Sequence, residues 1–128
     1  MKRALATALG VILLGACATT YNMPVEERTR AYREDMDVVW EAALGAVDDA
    51  GLGLTETEKE HGRIRARGGA SIWDLKGHVL QVVVTELGEG RIRVDANAET
   101  VSEDSVIDFG RSSGIVRDYL HTLDDRLR

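Results

Sequence analysis

The chain has 128 residues, of which 44% are hydrophobic and 30% charged, and its formal net charge at pH 7 is −6. This length accommodates one ordinary domain. The acidic balance argues against a broad nucleic-acid footprint, which requires clustered positive charge. It also argues against electrostatic adhesion to anionic lipid. We therefore expect no nucleic-acid partner.

Residues 1–16 have the organisation of an export signal. Lys2 and Arg3 supply positive charge, and residues 4–14 form an uncharged, mostly apolar run. This run is too short to span a bilayer as a helix, but it suits the central region of a secretory signal. The sequence therefore predicts a signal peptide over residues 1–16.

The segment Leu14-Gly15-Ala16-Cys17 closes this signal, and Cys17 is the only cysteine of the chain. An aliphatic residue, two small residues and a cysteine resemble the lipobox of bacterial lipoproteins. The resemblance implies that the Cys17 thiol takes a diacylglyceryl group and that the signal is cut before Cys17. Ala18, rather than Asp, implies attachment to the outer membrane, facing the periplasm. The alternative is an ordinary signal peptide that is cut a few residues later.

Lipidation of Cys17 would make the mature chain a stable membrane resident. Two or more acyl chains hold a protein at a bilayer, whereas one chain gives marginal, reversible binding. Removal of residues 1–16 leaves 14 basic against 22 acidic residues, a net charge of −8, so the acyl chains would be the membrane contact. We expect residues 17–27 to hold the lipidated cysteine and a tether, and residues 28–128 to form a single α+β domain.

Two amphipathic helices are predicted. The first runs from Asp35, a favourable N-cap, to Ala50, and Gly51 suits the left-handed position that ends a helix. Its apolar residues recur at steps of three and four; they are Met36, Val39, Trp40, Ala43, Val47 and Ala50. The second begins at about Ser112. Its apolar face holds Ile115, Val116, Tyr119, Leu120, Leu123 and Leu127, and its predicted outward face holds Arg117, Asp118, Asp124 and Arg126.

Between the two helices, apolar and polar residues alternate with a period of two, as in strands with one covered face. Strands are predicted over residues 52–58, 63–67, 80–85 and 91–99, after a first strand over residues 28–33. His61-Gly62 is a predicted turn, and residues 87–90 form a predicted hairpin. The fold class is therefore α+β: an antiparallel sheet of four to five strands with two helices on one face, in the order β-α-β-β-β-β-α.

The run Val38-Val39-Trp40-Glu41-Ala42-Ala43-Leu44, followed by Gly51-Leu52-Gly53-Leu54-Thr55, looks like a family of small bacterial lipoproteins of unknown function. The lipobox and the order of elements fit the same family. The resemblance implies the lipid anchor and the α+β domain, and the family has no established activity to carry over. More distantly, the layout is similar to sheet-and-two-helix domains of lipoproteins attached to the outer-membrane assembly machinery, which is a likeness of fold alone.

Arginines alternate with apolar residues on two of the predicted strands and form the main candidate site. The candidates for partner docking are Arg63, Arg65, Arg67, Arg91 and Arg93. One interpretation is a face that docks an anionic glycan or an acidic segment of an envelope protein. The other is an ordinary solvated face, on which these arginines pair across strands with Glu56, Glu58, Glu60, Asp95 and Glu99.

Trp73 lies in a glycine-rich connection, where an exposed tryptophan would anchor a partner. Alternatively, it folds back over the sheet edge. Trp73 therefore joins the arginines as a candidate docking residue.

We predict no metal site, no cofactor and no enzyme activity. His61, His78 and His121 lack the spacing of metal ligands, and we expect all three to be solvated surface residues. Serines that could combine with a histidine and an aspartate have no Gly-x-Ser-x-Gly elbow. The sequence thus favours a lipid-anchored binding or accessory module of the periplasm. The alternatives are a small periplasmic hydrolase or metal-dependent enzyme, and a structural filler without a ligand.

Overall fold

The computed structural model describes residues 23–68, 77–100 and 111–128. Within them, five antiparallel strands form one sheet with the order β1-β5-β4-β3-β2, and two helices cover one of its faces. The strands are β1 Thr29–Tyr32, β2 Gly53–Glu58, β3 Arg63–Gly68, β4 His78–Gly88 and β5 Arg91–Thr100, and the helices are α1 Met36–Asp49 and α2 Arg111–Leu127. The predicted α+β class and the order of elements are confirmed. Cys17 and Trp73 lie outside the described residues.

Helix α1 ends as the sequence predicts. Asp35 occupies the N-cap position with an extended backbone, although its side chain makes no capping hydrogen bond. Gly51 has φ +77°, the Leu52 amide donates to the Val47 carbonyl at 3.0 Å, and the Gly51 amide donates to Asp48 at 2.9 Å. This pair of bonds defines a Schellman motif, which turns the chain into β2.

The core lies between the inner face of the sheet and the two helices. The inner-facing residues of β3, β4 and β5 are almost fully buried; they are Ile64, Ala66, Leu80, Val82, Val84, Ile92, Val94, Ala96 and Ala98. The helices contribute Val39, Trp40, Ala43, Ala46, Val47, Val116, Tyr119, Leu120 and Leu123. The Tyr119 hydroxyl donates to the Ala43 carbonyl at 2.9 Å, so a hydrogen bond also joins the two helices. Neither described helix combines the length and apolarity that a bilayer crossing would require.

Two polar residues lie elsewhere than the sequence predicts. Asp124, predicted to face outward, packs against β1 with its side chain only 14% exposed. It accepts hydrogen bonds from the Tyr32 hydroxyl at 2.6 Å and from Arg30 Nε at 3.0 Å. His78, predicted to be solvated, is 2% exposed, because it continues the inward-facing series of Leu80 and Val82. In both cases the geometry of the element overrides the polarity of the side chain.

Candidate docking face

The arginines of β3 all point away from the helices. In β3, buried Ile64 and Ala66 alternate with exposed Arg63, Arg65 and Arg67. The strand begins after Gly62, whose φ of +66° is left-handed. A β-carbon on Gly62 would overlap the carbonyl oxygen of Val84 on the neighbouring strand. Gly62 thus allows the close approach that sets which residues of β3 face outward.

Arg91 and Arg93 lie on the same outward face, but two strands away from the β3 arginines. Strand β4 separates β3 from β5, so the two groups are about 10 Å apart across the sheet. The register places Arg63 beside Val83, and Arg93 beside Thr85. The five arginines therefore form one diagonal band rather than a compact cluster. We call this band, Arg67-Arg65-Arg63-Arg93-Arg91, the arginine stripe; it is about 30 Å long at the strand rise per residue.

Carboxylates flank the stripe, yet they pair with few of its members. Arg93 donates to Asp95 of its own strand at 3.0 and 3.1 Å. Arg65 lies opposite Glu56, and Arg63 opposite Glu58. Glu58 contacts His61 at 3.3 Å instead.

Within the part of the chain that the structure describes, Arg63, Arg65 and Arg91 make no ion pair. Arg93 is thus paired, but with Asp95 of its own strand. The cross-strand ion pairs expected for an ordinary solvated face are not formed by Arg63, Arg65 or Arg91 within the described residues. These three guanidinium groups are consequently presented to solvent without an ion-pair partner among the described residues.

The surface between the arginines mixes polar and apolar side chains. Strand β4 contributes Gln81 and Thr85, which are exposed, and Val79 and Val83, which are partly buried. Val79 and Gln81 line a shallow depression of about 110 Å³ with Asn97 and Glu99 of β5. This depression, at the end of the face away from Arg91, was not apparent from the sequence, because it depends on the register between β4 and β5.

The cluster of Arg30, Tyr32 and Asp124 was also not predicted as a unit. Burial disfavours the charged form of Asp124, but the hydrogen bonds from Tyr32 and Arg30 and the nearby positive charges outweigh it, so the pKa of this carboxyl lies below its ordinary value. Burial, together with the bond to Asp124, raises the pKa of Tyr32. Tyr32 therefore remains a proton donor, and the cluster fixes β1 against α2.

The described residues do not bring the histidines together. His61 and His121 are exposed, and His78 is buried on the inner face. Among residues 23–68, 77–100 and 111–128, no group of three His, Cys, Asp or Glu side chains could hold a metal ion.

No protein-family model and no curated protein matches the chain at the sequence level. Solved structures do match. A chain of the adenylate sensor from AMP-activated protein kinase, in complex with ZMP, is 14% identical with TM-score 0.56, over 74% of this chain and 94% of that chain. A chain of the same sensor complexed with ATP is 15% identical with TM-score 0.56, over 73% and 92% of the two chains. At these identities the likeness extends to the α+β fold alone.

Proposed function

We propose that the protein is a lipid-anchored binding module of the bacterial cell envelope, whose arginine stripe docks an acidic envelope glycan. The anchor is inferred from the export signal and from Leu14-Gly15-Ala16-Cys17, which resembles a lipobox. The observation that supports docking is that Arg63, Arg65 and Arg91, on an exposed sheet face, form no ion pair with any part of the chain that the structure describes. Guanidinium groups bind carboxylate and phosphate in a bidentate manner, which suits a glycan that carries either group.

An extended glycan fits this face better than an acidic protein segment. Protein interfaces concentrate their binding energy in large buried anchors, especially aromatic ones. The described outward surface of β3, β4 and β5 presents valine, threonine and amide side chains between the arginines, and no aromatic ring. In contrast, the stripe presents successive charges about 7 Å apart along β3, which matches a linear polymer with repeated anionic groups.

The start of the described chain supports a position close to the membrane. Met23 is 4% exposed and belongs to the core. If Cys17 carries the lipid, only residues 17–22 separate the acyl chains from that core, and they reach about 20 Å at full extension. This reach would hold the stripe near the membrane surface, where envelope glycans that are attached to lipid begin.

The test measures binding of the full chain to polygalacturonate, a carboxylated glycan, with neutral dextran as the reference. We expect Arg63→Glu combined with Arg65→Glu to weaken binding at least about tenfold, because two attractive contacts become repulsive. The matched control is Arg117→Glu on helix α2 combined with Arg128→Glu just after it, which changes the net charge equally. If the two double variants lost the same amount of binding, the effect would come from net charge alone, and this result would contradict a docking face.

The anchor has a separate test. Mass spectrometry of the mature chain should find a diacylglyceryl group on Cys17, and Cys17→Ser should move the protein out of the membrane fraction. An unmodified thiol would refute the anchor without bearing on the stripe. The alternative function, a small hydrolase or metal-dependent enzyme, gains no specific observation from the described residues.

A further inference from the structure

A recess lies at the end of the sheet where β1 stops and the β4–β5 hairpin turns. It has a volume of about 290 Å³ and is lined by Ala31, Tyr32, Arg33, Leu87, Arg91 and Ile92. The register explains this lining, because Tyr32 pairs with Ile92 in the sheet. Arg33 follows Tyr32 directly, and Arg91 precedes Ile92, so both arginines lie just beyond this pair and line the recess together.

The walls of the recess are mainly apolar, and they are firmly held. Ile92 belongs to the core and is 0% exposed. The Tyr32 ring is fixed, because its hydroxyl donates to Asp124 at 2.6 Å. Leu87, by contrast, is 49% exposed at the rim. A ligand with an apolar group would cover Leu87 and remove it from water.

The rim carries positive charge without a neutralising group. None of the six lining residues is acidic, and neither Arg33 nor Arg91 forms an ion pair within the described part of the chain. An apolar floor below two free guanidinium groups is complementary to an anion that bears an apolar chain. The volume of the recess lies at the small end of the range for ligand sites, so the ligand must carry one short apolar chain.

We infer that this recess binds a small amphiphilic anion, a carboxylate or phosphate on one short alkyl or aryl chain, with Arg33 and Arg91 holding the anion and Leu87 and Tyr32 holding the chain. This site goes beyond the proposed glycan docking and does not require the lipid anchor. It shares Arg91 with the arginine stripe, so the stripe leads from the open sheet face to the recess.

The test is calorimetric titration of the full chain, in micelles of a neutral detergent, with octanoate, octyl phosphate and octanol. Octanoate or octyl phosphate should bind, and the stronger of the two identifies the preferred head group. Arg33→Gln combined with Arg91→Gln should weaken that binding at least about tenfold, since both charged hydrogen bonds are lost. Arg117→Gln on α2 combined with Arg128→Gln just after it should leave this binding unchanged, which removes partitioning into micelles as an explanation.

Any one of four outcomes would overturn the site. Neither anion binds; octanol binds as well as octanoate; or the Arg33/Arg91 variant binds as well as the unmodified chain. A dimer that Leu87→Asp dissociates would also overturn it, because a second copy would then occupy the recess. Loss of glycan binding in the Arg63/Arg65 variant is measured separately, so failure of one site does not imply failure of the other.

Discussion

The two faces of the sheet are built from alternate residues of the same strands, but their side chains have different surroundings. On the inner face, Ile64, Val82 and Ile92 are each 0% exposed and pack against the helices. On the outer face, Arg63 and Arg65 have solvent on one side and no ion-pair partner within the described residues. Stability therefore depends mainly on the inner face, while the outer face is free to serve recognition.

The largest expected effect on stability comes from a comparison of substitutions at two adjacent residues of β3, one on each face of the sheet. Ile64→Ala should lower the free energy of unfolding by about 4 kcal/mol, through lost burial and the cavity left behind. Arg65→Ala, one residue along and on the other face, should change it by less than about 0.5 kcal/mol. Urea denaturation of both variants measures the difference. Similar losses in the two variants would mean that the outer face contributes to stability as much as the core.

The next effect concerns the glycine that sets the register. Gly62→Ala should cost about 3 kcal/mol, since a left-handed backbone is strained for alanine and the new β-carbon meets the Val84 carbonyl. Gly90→Ala is the matched control: its φ is +72°, but no atom lies within 4 Å of the added carbon. This control should cost about 1 kcal/mol, from the backbone conformation alone.

A Gly62→Ala variant no less stable than Gly90→Ala would contradict the close contact with Val84. The urea denaturation curves of the two variants should have the same slope, because both variants bury the same surface when folded.

The residues of the inner face could be predicted from the sequence, whereas the arrangement of the arginines on the outer face could be predicted only in part. Periods of 3.6 and two identify the helices and strands because one side of each must be apolar. The same logic places His78 inside, but its polarity suggested a surface position. Asp124 was misplaced for a similar reason, since its partners Tyr32 and Arg30 are more than 90 residues away in sequence. The stripe was foreseen as a set of arginines, but its diagonal shape depends on strand order, which periodicity does not contain.

A smaller effect is expected at the polar contact between β1 and α2. The pKa of Asp124 is lowered in the folded state, so its contribution to stability is present above the ordinary carboxyl pKa of about 4 and is lost as the pH falls through the folded value. Asp124→Asn should therefore cost about 1 to 2 kcal/mol at neutral pH, through weakened bonds to Tyr32 and Arg30.

The difference in stability between Asp124→Asn and the unmodified chain should narrow as the pH falls below about 4, because the carboxyl takes up a proton first in the unfolded state and, at lower pH, in the folded state as well. Thermal unfolding measured across acidic pH values checks this. Asp125→Asn, at the exposed neighbour, should leave the pH dependence intact. A constant gap at all pH values would mean that packing, rather than ionisation, makes Asp124 important.

The smallest effect on stability distinguishes two arginines of the stripe. Arg93→Gln removes an exposed ion pair with Asp95 and should cost at most about 0.5 kcal/mol, while Arg63→Gln removes no pair and should be close to neutral. Binding to polygalacturonate should show the opposite order. Arg63 offers an unneutralised charge, whereas the charge of Arg93 is already shared with Asp95, so Arg63→Gln should weaken binding more. If Arg93→Gln has the larger effect on binding, the unpaired arginines are not what the glycan contacts, and the outer face is only a solvated surface.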